Sequence, residues 1–214
     1  MAGLTKIGIL FSGRGSNLDA LLRAAAGPGF PAEAAVALCN VADAPGLQVA
    51  ARRGVATICI PHLPFGRDRE AHEMALDDGL RARAVEVVCL AGYMRVFTPW
   101  FVARWSGRML NIHPSLLPLF PGLDTHAQAL KAGVKLHGCT VHLVTDAVDS
   151  GPILAQAAVP VLPDDTEEAL AARVLVQEHI LYPMALRLFL ERRPGRADPA
   201  AALLNPLPGD GRAP

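Results

Sequence analysis

The chain has 214 residues, 51% of them hydrophobic and 19% charged, with twenty basic and twenty acidic side chains that cancel. That length buries a substantial core and suits one α/β domain, while the neutral balance points away from nucleic acid or an anionic membrane surface as partner. No signal pattern or membrane-spanning apolar run opens the chain, so a cytoplasmic protein is expected.

Residues 6–12 read as a first strand, apolar on both faces, followed by Gly13-Arg14-Gly15-Ser16-Asn17 and helical character over 18–26. Strand, glycine loop and helix start form the architecture of a phosphate cradle, because backbone N–H groups and the positive helix end both favour an anion. Ser16 suits the N-cap, with Asp19 three residues on completing a capping-box-like pair. Leu18 stands where a dinucleotide fingerprint needs its third glycine, so the loop is not of that kind. Strands over 36–40 and 57–60 flank a helix over 44–53. A charged helix over 67–83 leads to a buried strand over 85–90, which ends at Ala91-Gly92-Tyr93-Met94-Arg95. A short helix over 99–105 has Thr98 as its cap.

The stretch Met109-Leu110-Asn111-Ile112-His113-Pro114 begins as a buried strand and stops at a proline. Alternation puts Asn111 and His113 on one face, and Pro114 puts His113 at the strand's carboxyl end, where open α/β sheets gather ligands. After a Pro- and Gly-marked loop, residues 125–132 form a helix stopped by Gly133. Residues 140–145 alternate, with His142 opposite Val141 and Leu143. Asp146 to Pro152 make an acidic turn, residues 153–161 a last strand, and residues 165–190 a long helix that Pro183 should kink or interrupt. Residues 193–214, rich in Pro, Gly, Ala and Arg, read as a mobile tail behind a single domain over 1–192. The fold class is α/β: a doubly wound, mostly parallel sheet with helices on both faces and a Rossmann-like N-terminal half.

Cys39, Cys59, Cys89 and Cys139 each sit in an apolar run without a Cys-x-x-Cys pair and read as buried free thiols. The seven histidines lack metal-ligand spacing, and no metal is expected. What remains is an anion cradle, an Asn/His pair, an acidic turn and Glu178. The chemistry they suit is transfer at a carbonyl: Asn111 and protonated His113 donate hydrogen bonds to a developing oxyanion, and Asp149 favours the charged ring. Ser115 lies in no nucleophile elbow, so direct transfer without a covalent enzyme intermediate is favoured.

Gly13-Arg14-Gly15-Ser16-Asn17-Leu18, Leu90-Ala91-Gly92-Tyr93-Met94-Arg95, Asn111-Ile112-His113-Pro114-Ser115-Leu116-Leu117-Pro118, and His137 to His142 through Asp149-Ser150-Gly151-Pro152 stand in order. Together they resemble the phosphoribosylglycinamide formyltransferases, over roughly residues 6–190. The resemblance implies that 10-formyltetrahydrofolate donates its formyl group to the amine of glycinamide ribonucleotide, with small molecules as partners and a monomer or homodimer as the working form. It assigns catalysis to Asn111, His113 and Asp149, and the ribonucleotide to Gly15, Ser16, Asn17, Leu175, Val176, Gln177 and Glu178. It places the folate among Arg69, Met94, Arg95, Val96, Phe97, Asn111, Thr145, Asp146, Ala147, Val148 and Asp149. Leu143 stands where an aromatic residue is more usual in the family, and Phe97 where an aliphatic one is.

Three alternatives stay open. A formyltetrahydrofolate hydrolase resembles this set but uses water as acceptor, and its regulatory domain would have to precede the strand beginning at Lys6. A methionyl-tRNA formyltransferase would add a C-terminal tRNA domain and positive charge. A non-catalytic nucleotide-phosphate-binding module would need only the cradle at Ser16.

Overall fold

The computed structural model describes residues 3–191, so the expected tail over 193–214 lies outside the described residues. At its centre is β1 (Thr5–Phe11), whose Ile7, Ile9 and Phe11 face one buried cluster while Leu10 faces another. Being covered on both sides is what lets this strand be apolar throughout. Parallel neighbours are β2 (Ala32–Cys39) on one side and β4 (Val87–Leu90) on the other, with β3 (Thr57–Cys59) at the edge beyond β2. Next to β4 lies β5 (Met109–His113), also parallel, followed by two antiparallel strands, β6 (Leu136–Leu143) and β7 (Ile153–Pro160). The seven-stranded order is β3-β2-β1-β4-β5-β6-β7. Chain order reverses between β1 and β4, the place where such sheets open a crevice for ligands.

Helices α1 (Ser16–Ala25), α2 (Gly46–Arg52), α5 (Thr125–Ala132) and α6 (Glu167–Glu191) supply the larger cluster. On the opposite face pack α3 (Arg69–Arg81) and α4 (Pro99–Arg104). Buried carboxylates join these last two. Glu73 accepts from the Thr98 amide at 2.9 Å and from its hydroxyl, while Asp77 accepts from the Trp105 indole at 3.0 Å. Thr98 is therefore the N-cap residue in position, but its hydroxyl serves Glu73 and not its own helix.

Three expectations are corrected. Ser16 is the first helical residue of α1; the cap is Gly15, at φ 78°, without a side-chain bond. Asp19, expected as its partner, pairs with Arg23 and Arg53. Glycine is required there, since a β-carbon on Gly15 would stand 2.8 Å from the α-carbon of Gly46 at the start of α2. Pro183 does not interrupt α6, which runs 25 residues through it. Packing of its apolar side over β5, β6 and β7 outweighs the one hydrogen bond that proline lacks. Cys59 is exposed because β3 is an edge strand, whereas Cys39, Cys89 and Cys139 are buried; all four are free. Burial pushes the Cys89 thiol up to about 12.

Candidate active site

β5 ends with Asn111 and His113 on the same side, and both line a cavity of about 680 Å³ at the carboxyl ends of β4 and β5. Antiparallel pairing sets His142 of β6 directly across from Asn111, with Nε2 3.3 Å from the asparagine Nδ2. The turn after β6 then brings Asp149 back over both rings. One carboxylate oxygen is 3.4 Å from His113 Nδ1, and the other is 3.7 Å from His142 Nε2. The first oxygen also accepts from the Gly122 amide at 2.8 Å, tying the acidic turn to the loop after β5. On the far side of His113, Nε2 is 3.0 Å from the Phe120 carbonyl. A doubly protonated His113 therefore finds an acceptor at each nitrogen. Burial holds the neighbouring His142 below the ordinary histidine range, so that ring stays neutral at pH 7.

The backbone is strained at the same spot. Phe120 (φ 54°), Asp124 (φ 54°) and Asp149 (φ 51°) occupy the left-handed region as non-glycine residues, and all three lie beside His113 or in the loops around it. Such strain persists where surroundings over-determine the geometry, and it concentrates at functional sites. Below the loop, buried Thr140 donates to the Ser115 carbonyl at 2.7 Å and accepts from Leu117 N at 3.0 Å.

At the other end of the cavity, Asn17 of α1 donates to Glu178 of α6 at 2.6 Å, across 161 residues of sequence. Burial raises the Glu178 carboxyl above its usual range, partly offset by Asn17. The Asn17 side-chain oxygen is buried without a partner. Both residues line the cavity, so they offer a ligand one free acceptor and one carboxyl with an unsettled charge. An apolar wall completes it: Met94, Val96 and Phe97 line the space, and Phe97 stacks between Tyr93 at 5.0 Å and Phe101 at 4.5 Å.

Residues 5–186 match the formyl transferase family. The chain belongs to that family. The Escherichia coli phosphoribosylglycinamide formyltransferase is 44% identical over 86% of this chain and 87% of its own length. The trifunctional purine biosynthetic protein adenosine-3 of Drosophila melanogaster is 44% identical over 86% of this chain, which spans only 14% of that longer protein. In structure, the glycinamide ribonucleotide transformylase 1 of Symbiobacterium toebii superposes with a TM-score of 0.87 at 48% identity, covering 90% of this chain and 91% of that one.

Of the residues singled out by sequence, this formyl transferase brings Asn17, Glu178, Met94, Arg95, Val96, Phe97, Asn111, His113 and Thr145 to Asp149 around one cavity. Gly15 and Ser16 stand just outside it at the start of α1, and Leu175, Val176 and Gln177 precede Glu178 on α6. Arg69 is exposed at the start of α3 and is not among the residues lining the cavity. Missing from the sequence-based site were His142, His126 and the backbone groups of Phe120 and Gly122. Alternation placed His142 on one face of its strand, but only the register of β6 against β5 reveals Asn111 as its neighbour. Backbone groups carry no residue-type signal at all.

Proposed function

We propose that this formyl transferase moves the formyl group of 10-formyltetrahydrofolate to the amine of glycinamide ribonucleotide, giving formylglycinamide ribonucleotide and tetrahydrofolate in purine synthesis. The amine nitrogen attacks the formyl carbon, and the carbonyl oxygen becomes an oxyanion. Asn111 and the His113 imidazolium donate hydrogen bonds to it, the ring exchanging one of its two present acceptors for the substrate oxygen. Collapse of the intermediate expels the folate nitrogen, which takes up a proton as the amine loses one. The observation that carries this reading is the Asp149 carboxylate within 3.4 Å of His113 and 3.7 Å of His142, beside Asn111. The folate lies along Met94–Phe97 and 145–149, whereas Arg69, exposed at the start of α3, stands outside that lining. The ribonucleotide lies along Gly15–Asn17 and 175–178, its phosphate on the N-terminus of α1. A single domain acts on small molecules in the cytoplasm, as a monomer or homodimer.

The test is an assay with a 10-formyl folate, with and without glycinamide ribonucleotide. Deformylation that requires the ribonucleotide and yields its formylated form is expected. Equal deformylation without it would make the protein a hydrolase, and none at all would leave a binding module.

A further inference from the structure

We propose that Ser12, oriented by Asn40, is a positioning residue that sets the folate-side wall of the cavity against the phosphate loop. The inference rests on the two-substrate reading above and adds a residue to it. Ser12 follows β1 directly, and Gly13 to Asn17 follow Ser12, so its backbone is continuous with the phosphate loop. Its amide donates to the Gly92 carbonyl at 3.0 Å, and its hydroxyl oxygen accepts from the Met94 amide at 2.8 Å. Met94 lines the cavity and opens the 94–97 stretch of its apolar wall. Both bonds span the seam between β1 and β4, where the chain order reverses.

A serine hydroxyl has a single proton, and here its destination is defined. Ser12 Oγ donates to Asn40 Oδ1 at 2.7 Å. With the proton directed to Asn40, a lone pair is left facing Met94 N–H. Asn40 is itself fixed: it is 2% exposed, and its carbonyl accepts from the His62 amide at 3.3 Å while His62 Nδ1 stands 2.9 Å from the same oxygen. The loop after β2 is anchored to the phosphate loop as well, through Gly46 N to the Gly13 carbonyl at 3.0 Å. One hydroxyl thus joins three strand exits and holds the first amide of the folate wall. Neither Ser12 nor Asn40 lines the cavity, so they act through Met94 and not on substrate.

The experiment measures equilibrium binding of a 10-formyl folate by titration calorimetry, together with steady-state kinetics for both substrates, in folded wild type, Ser12→Ala, Ser12→Thr, Asn40→Ala and the Ser12→Ala/Asn40→Ala double variant. Ser12→Ala should weaken folate binding and raise the folate KM roughly three- to ten-fold, the worth of one net hydrogen bond, with the ribonucleotide KM changed less than about two-fold. Ser12→Thr keeps the hydroxyl and should restore the folate values. Asn40→Ala should shift them the same way, and the double variant should be no worse than Ser12→Ala, because Asn40 acts through Ser12. Unchanged folate affinity in Ser12→Ala, equal losses for both substrates, failure of threonine to restore, or additive losses would each overturn the proposal. A wild type that binds the folate without ribonucleotide-dependent transfer would overturn the functional reading alone, while the binding constants still judge Ser12. A wild type with no folate affinity overturns both.

Discussion

His113 sits 5% exposed with an acceptor at each ring nitrogen, and this geometry separates its chemical role from its structural one. Replacing it with alanine should lower turnover about a hundred- to ten-thousand-fold, the range for a positioned general acid, while ligand affinities measured by calorimetry stay within a few-fold. Turnover near the wild-type rate would remove the ring from the mechanism. Glu178 makes a different case. A carboxyl held above its usual range by burial binds its proton more tightly folded than unfolded. Stability is thus lost as pH rises from the unfolded carboxyl range, near 4.3, through the raised folded value. Glu178→Gln keeps an oxygen for Asn17 but removes that penalty. Thermal melts should show the variant gaining on wild type at pH 8 and not at pH 4, with a raised ribonucleotide KM. A residue that costs stability where it stands is what a binding carboxylate looks like.

Among elements, α6 binds the two halves of the site together. Its Glu178 reaches α1, and one turn on, the buried Tyr182 hydroxyl lies 3.1 Å from the Leu90 carbonyl and 3.0 Å from that of Leu110. One proton shared between these acceptors pins the helix to the adjoining strands β4 and β5. Tyr182→Phe leaves buried carbonyls short of a donor and should cost about 1–3 kcal/mol in urea unfolding, with kcat per folded molecule retained. A loss of activity without a loss of stability would contradict this division of roles. The apolar spacing of α6 was readable from sequence. Its continuity past Pro183 was not, because local rules price the missing hydrogen bond but not the surface that the helix covers. Similarly, the glycine loop read as a phosphate cradle from composition, yet the cap moved from Ser16 to Gly15. The close approach of Gly46, thirty-one residues later in the chain, demands the left-handed turn there.

For the whole molecule, burial lowers His72, His126, His142 and His179, and it pushes His137 down to about 4. Each is neutral when folded at a pH where the unfolded chain protonates it. Their stabilising contribution is complete above about pH 6.5 and is lost as pH falls toward 4. Melting temperature should therefore decline steeply across that window. His137→Gln should flatten the decline, since His137 is 1% exposed and its Nδ1 lacks a partner. Unchanged stability between pH 7 and pH 4.5 would contradict it. Among the described residues no helix is long and apolar enough to cross a membrane.

Alternation, proline and glycine placed most elements of this chain within a few residues, because they act over a single strand or turn. Residue type and order also sufficed to nominate Asn111, His113, Asp149 and Glu178. The tertiary structure alone decided which of them meet. It set the β5–β6 register that seats His142 beside Asn111, the returning turn that lays Asp149 on two imidazoles, and the Phe120 carbonyl on the far side of His113. Those contacts join groups far apart in the chain, or groups that every residue carries. They exist only once a hydrophobic sheet has closed around them and made any other arrangement of its strand ends costly.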